Sequence, residues 1–184
     1  MYVVFIHGPA AAGKYTIASA LCEKTGLKLF HNHLAVDTAK SLFEFGTPPF
    51  NSMRATIWLA AFHEAAAAGT SFIFTFNPEA TVDPALIEQM CEAVYSQNGR
   101  VHFVELLCSE SEVLKRLGND SRRQFGKLVD ADLYVEISRQ GGFSFPPLPA
   151  PLLGIDTERC SADEAADQIA SALARSEPEF NSRS

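Results

Sequence analysis

A lysine set just behind a glycine-bounded loop is where this sequence most plainly offers chemistry. Gly8-Pro9-Ala10-Ala11-Ala12-Gly13-Lys14-Tyr15-Thr16 follows directly on Tyr2-Val3-Val4-Phe5-Ile6 and leads into Ile17-Ala18-Ser19-Ala20-Leu21. The apolar run predicts a strand buried on both faces of a parallel sheet, and the segment after the loop predicts a helix. Strand, loop, lysine, helix is the setting in which a phosphate-binding loop works. The glycines let the backbone turn tightly, so that successive N–H groups over residues 8–16 converge on an anion. The new helix adds the positive end of its dipole. Lys14 would then reach the β- and γ-phosphates of a bound nucleotide. The hydroxyl that meets Mg²⁺ commonly follows the lysine at once. Here Tyr15 takes that place and Thr16 comes one residue later. An ordinary strand-to-helix turn would explain the glycines and leave Lys14 unexplained.

Gly8-xxxx-Gly13-Lys14-x-Thr16, so near the start of a chain of 184 residues, resembles the adenylate kinase and shikimate/gluconate kinase-like group of P-loop phosphotransferases. Adenylate kinases also carry a Gly-Lys-x-Thr ending. The resemblance is specific in the loop and extends to the order of elements along most of the chain. It implies a three-layer α/β P-loop NTPase fold, with a five-stranded parallel sheet in the order 2-3-1-4-5 and helices on both faces. It implies a single domain over 1–184, with an acceptor-side helical insert near 36–68 and a short lid near 118–130. It also implies transfer of the γ-phosphoryl of MgATP to a small-molecule acceptor, a hydroxylated metabolite or a nucleoside monophosphate.

Further candidates follow from that comparison. Similar kinases place an arginine beside the adenine and others in the lid, which points to Arg116 for the first and to Arg122 or Arg123 for the second. Lid arginines stabilise charge spread over the transferring phosphoryl. A solvated basic helix end would explain the same residues. Ile155-Asp156-Thr157 is similar to the end of the fifth strand, which lines the adenine pocket in this group; Asp156 would serve equally as a turn cap. His31-Asn32-His33 lies where related kinases carry an acidic residue that activates the acceptor or helps hold Mg²⁺. Asn32 cannot act as a base, so Asp37 or His33 is left to supply that function. On a strand, His31 and His33 would share one face. Arg54 lies where similar kinases hold an acceptor's phosphate or carboxylate; a helix-surface arginine is the plainer alternative. Asn77, with Glu79 and Asp83 beyond it, follows the third strand where an acidic residue is common. In-line attack on the γ-phosphorus in a 2-3-1-4-5 sheet makes His31, Asn32, His33, Asp37, Arg54 and Asn77 converge on the acceptor. The competing function is a nucleotide-binding regulatory module or a slow ATPase, which the Tyr15 and Asn32 departures favour.

Five short strands are expected at 2–6, 27–30, 71–76, 101–107 and 152–156. Helices are expected at 14–24, 36–45, 52–68, 84–96, 110–117, 131–138 and 162–173. Asp83-Pro84 reads as an N-cap followed by proline at the first helical position. Ser109 with Glu112, and Ser161 with Glu164, read as capping boxes. Thr47-Pro48-Pro49-Phe50 reads as a rigid loop, with Asn51 as the cap of the helix after it. Residues 141–151 are the longest irregular stretch, and the tail from 176 is polar. Strands alternating with helices imply βαβ units. Trp58 and Phe62, one turn apart, are expected in the core.

A net charge of −7 without a basic run argues against a nucleic-acid partner. No apolar stretch reaches the roughly 18 residues that a membrane span needs. The start carries no basic segment or cleavage site of a signal peptide. Cys22, Cys91, Cys108 and Cys160 are widely spaced and read as reduced thiols. These features predict a cytoplasmic protein, monomer or homodimer.

Overall fold

The computed structural model describes residues 1–118 and 130–177. Its elements are β1 (Tyr2–His7), α1 (Lys14–Thr25), β2 (Lys28–His31), α2 (Asn32–Lys40), α3 (Pro48–Ala67), β3 (Phe72–Phe76), α4 (Pro84–Tyr95), β4 (Arg100–Leu107), α5 (Glu110–Leu117), α6 (Ala131–Arg139), β5 (Leu153–Asp156) and α7 (Ala162–Ser176). The strands form one parallel sheet in the order β2-β3-β1-β4-β5. The order reverses at β1, so the ligand crevice belongs at the C-terminal ends of β1 and its two neighbours.

The alternation along β1 shows why the sheet has helices on both faces. Val3 and Phe5 point into a core with Phe72, Phe74 and Phe76 of β3, Trp58 and Phe62 of α3 and Ile87 of α4. Val4 and Ile6 point the other way, onto Ile17 and Leu21 of α1 and Ile169 and Leu173 of α7. Side chains of successive strand residues take opposite faces, so a strand apolar throughout must be covered twice. The first core is strongly aromatic. Phe5 meets Phe74 edge-on at 5.1 Å, and Phe62 meets Phe74 likewise at 5.3 Å. Trp58 and Phe62 are both fully buried.

Local signals explain most helix starts. Asp83 Oδ1 accepts from the Ala85 N–H at 2.9 Å and Pro84 occupies the first turn of α4. Ser161 and Glu164 cap α7 reciprocally. The box at Ser109 forms only by half. Ser109 Oγ accepts from the Glu112 N–H, but the Ser109 N–H donates to Glu158. Glu112 instead turns to Arg116 and Lys115.

Three expected boundaries are corrected. Helix α2 starts at Asn32, not 36, and ends at Lys40, because the Asn32 N–H is pinned to Thr75 Oγ1 of the adjacent strand. The chain after it folds back, with Leu42 and Phe43 N–H groups both donating to the Ala39 carbonyl. Helix α3 starts at Pro48, so the prolines read as a loop form its first turn, where a missing N–H and a fixed φ are no handicap. Asn51 is therefore inside the helix, and its side chain donates to the Gly46 carbonyl rather than capping.

The irregular stretch after α6 is tied back to the site's rim. The Ala80 N–H donates to the Gly142 carbonyl, and Phe145 packs on Phe76 at 5.3 Å. Among the described residues no helix is long and apolar enough to cross a membrane. All four cysteines are free thiols.

Candidate active site

The loop between β1 and α1 is held in shape by close backbone packing. At Gly8 (φ 151°) a Cβ would lie 2.5 Å from the Leu106 carbonyl oxygen of β4, so no side chain fits without moving a strand. Gly13 caps α1 in the left-handed region at φ 89°. Ala11 also sits there, at φ 61°, a conformation that costs an L-residue about 1 kcal/mol. Its surroundings impose it. Ala10 and Ala11 pack on Val113, Leu117 and Tyr134, and Ala12 is sealed against α1 and β1. Left-handed residues at Ala11 and Gly13 are the kind of backbone that turns successive N–H groups to one side, as anion-binding loops do.

Lys14 folds back onto this loop. Its ammonium donates to the Gly8 and Pro9 carbonyls, both at 2.7 Å, and to Asn77 Oδ1 at 3.2 Å. Asn77, at the end of β3, thus neighbours the lysine. Its own amide donates to the Pro78 carbonyl. Tyr15 and Thr16 are exposed in the first turn of α1. The Tyr15 ring stands edge-on to His31 at 5.1 Å, and His31 lies 6.4 Å from His33 between ring centroids. His31 ends β2 while His33 sits in α2, so the two rings meet through a strand-to-helix junction and not, as expected, on one strand face. Asn32 Oδ1 is buried without a hydrogen-bond partner. Asp37 is exposed on α2, one turn beyond His33 and on the same helix face.

Arg54 is almost completely buried, 1% exposed, on α3. It pairs with Glu79, and it donates to the Thr81 carbonyl at 3.0 Å and, more weakly, to Thr81 Oγ1 and Asn51 Oδ1. Phe50 and Trp58 rings flank its guanidinium at 5.3 and 5.1 Å. Burial lowers its pKa from the ordinary value, with Glu79 acting in the opposite sense. Arg54 is therefore not on the helix surface. Glu79 is committed to this pair, and Asp83 to the cap of α4.

On the far side of the loop, Arg116 spans α5 and the end of β5. It donates to the Thr157 hydroxyl at 3.1 Å and the Thr157 carbonyl at 2.8 Å, and Glu112 steadies its Nε at 3.0 Å. The Thr157 N–H in turn donates to the Leu107 carbonyl. The Asp156 carboxylate accepts from the Glu158 N–H and pairs with Arg159, so it caps its own turn. Arg122 and Arg123 lie outside the described residues.

His7 was not picked out from the sequence. It ends β1 directly before Gly8, is 7% exposed, and its Nε2 has no hydrogen-bond partner. Burial, and then the nearby Lys14 charge, lower its pKa from 6.5 to about 4. A polar residue closing an apolar strand was the available signal. Because the unfolded chain binds this proton more readily than the folded one, stability should rise with pH from about 4 to 6.5, by up to roughly 3 kcal/mol, and level off above. His7→Gln should flatten that part of the profile in denaturant unfolding across pH. An unchanged slope in the variant would remove His7 as its source.

The five-stranded parallel sheet in the order 2-3-1-4-5, with helices on both faces, is a fold shared with solved kinases of small molecules. No family model and no curated protein matches the sequence. Solved structures do match in fold. A sugar kinase from Janibacter sp. HTCC2649 is 18% identical with a TM-score of 0.66, covering 95% of each chain. A gluconokinase from Sinorhizobium meliloti 1021 is 16% identical at 0.63, covering 99% of this chain and 97% of its own. The APS kinase of Mycobacterium tuberculosis, in complex with AMPPNP and APS, is 14% identical at 0.65, covering 94% and 97%.

Proposed function

We propose that this chain is an ATP-dependent kinase of a small molecule, one domain with its acceptor-side insert near 36–68; the lid expected near 118–130 lies almost wholly outside the described residues. The observation that carries this reading is Lys14 folded back onto the Gly8 and Pro9 carbonyls of a loop with positive φ at Gly8, Ala11 and Gly13, a backbone suited to an anion. Loop amides and Lys14 would take the phosphates, with Lys14 exchanging two backbone carbonyls for phosphate oxygens. Arg116, braced by Glu112 and Thr157, would flank the adenine, with backbone around Thr157 as the floor. The presence of AMPPNP in the fold-related APS kinase supports the choice of ATP.

Thr16, exposed in the first turn of α1, is our candidate for the protein contact to Mg²⁺. Such an ion keeps most of its ligands as waters and phosphate oxygens, so one or two neutral protein oxygens are compatible with it. Bound there, the ion would neutralise charge on the β- and γ-phosphates. On the acceptor side, the hydroxyl oxygen attacks the γ-phosphorus, the bond to the ADP oxygen breaks, and the hydroxyl proton passes to Asp37 or His33.

The direct test is ADP release, with MgATP, that depends on added acceptor across hydroxylated metabolites and nucleoside monophosphates. ATP hydrolysis unaffected by every compound would support the slow ATPase instead, a reading favoured by the neutral Asn77 beside Lys14. Asp37→Asn should slow transfer while ATP binding survives. If His33 is the base, the rate should rise through about pH 6.5 and His33→Ala should abolish that rise. Normal transfer in both variants would move the base elsewhere. Arg122→Ala and Arg123→Ala should lower turnover more than nucleotide affinity, by about 10²-fold for the one that reaches the γ-phosphoryl. Wild-type turnover in both would dismiss the lid assignment.

A further inference from the structure

The acceptor side of the site contains an arginine that is already neutralised. Arg54 shares its terminal nitrogens among Glu79, Thr81 and Asn51, and aromatic rings flank the guanidinium. The pair lies under the loop after β3, two residues beyond Asn77, which contacts Lys14. An acidic acceptor would have to displace Glu79 from Arg54 and leave that carboxylate without its cation. Separating a buried pair in this way is expensive. A second group here points the same way. Asn32 Oδ1 is a buried oxygen without a donor, a lone acceptor that a hydroxyl could satisfy and an anionic oxygen could not.

We infer that the acceptor is an uncharged, hydroxyl-bearing molecule, of the sugar or nucleoside kind, and that Glu79 sets this preference by occupying Arg54. The inference rests on the kinase reading above. Glu79 is a specificity residue here: it excludes anions by keeping paired the charge of the one buried arginine among the described residues.

The experiment uses matched pairs that differ in charge: glucose with gluconate, and adenosine and uridine with their 5′-monophosphates. Acceptor-dependent ADP release is measured for the wild type and for Glu79→Gln. In the wild type the uncharged member of the active pair should have the higher kcat/KM, by at least about tenfold. In Glu79→Gln, whose amide no longer neutralises Arg54, that ratio should fall by about tenfold through gain of the acidic member. A wild-type preference for the acidic member overturns the inference without folding of any variant being required. A folded Glu79→Gln with an unchanged ratio overturns the role of Glu79. Failure of the kinase reading looks different: no compound of either kind raises ADP release above that of ATP alone, and this inference falls with it.

Discussion

Lys14→Ala should lose measurable ATP binding in calorimetric titration with Mg²⁺ while keeping a cooperative unfolding transition. The ammonium donates to two loop carbonyls and to Asn77, all part-buried. Removing it leaves acceptors that water can satisfy, so the folding cost stays near that of an ordinary hydrogen bond, about 1 kcal/mol. Nucleotide binding depends on it far more. Charge-assisted hydrogen bonds to phosphate are worth about 1.5–3 kcal/mol each. Losing contacts to two phosphates therefore lowers affinity by about 10²- to 10⁴-fold. Unchanged affinity in a folded variant would end the phosphate-loop assignment. Loss of the unfolding transition together with binding would instead make Lys14 a structural residue.

Arg54→Met should be the most destabilising single change at the site, by about 3 kcal/mol in denaturant unfolding. It removes the cation and leaves the Glu79 carboxylate, 15% exposed, without its partner. It also strips donors from Thr81 and Asn51. For a chain of this size that corresponds to a drop in Tm of about 6–12 °C. Glu79→Gln should cost less, because the amide oxygen still accepts from Arg54. The double change Arg54→Met with Glu79→Met should recover part of the loss, since replacing both partners removes the uncompensated charge. Wild-type stability in Arg54→Met would mean that the pair is not structural, and that Arg54 is available to a ligand after all.

The two residues show how unevenly the site could be read. Lys14 was visible because its signal is local: a strand, two glycines and a helix within a short stretch fix where its ammonium must go. The caps at Asp83 and Ser161 were visible for the same reason. The partner of Arg54 was not, because Glu79 is 25 residues away along the chain and the two meet only when α3 packs beside β3. His33 was misplaced for a related reason. An isolated His-Asn-His can continue a strand, but a hydrogen bond from the Asn32 N–H to Thr75 on β3 turns the chain into α2.

By itself, the sequence determined the alternation of apolar strands with helices, the glycine-bounded loop between the first strand and helix, and the caps at Asp83 and Ser161. These are set by side-chain periodicity and by backbone groups a few residues apart. The tertiary structure alone decided which charges neutralise each other and which polar groups are sealed. It buried His7 behind the loop, tied Arg116 to Thr157 across β4 and β5, and closed Arg54 against Glu79. Burial and ion pairing are properties of surfaces that meet in space. Their energies depend on desolvation by distant segments, which local spacing along a chain does not encode.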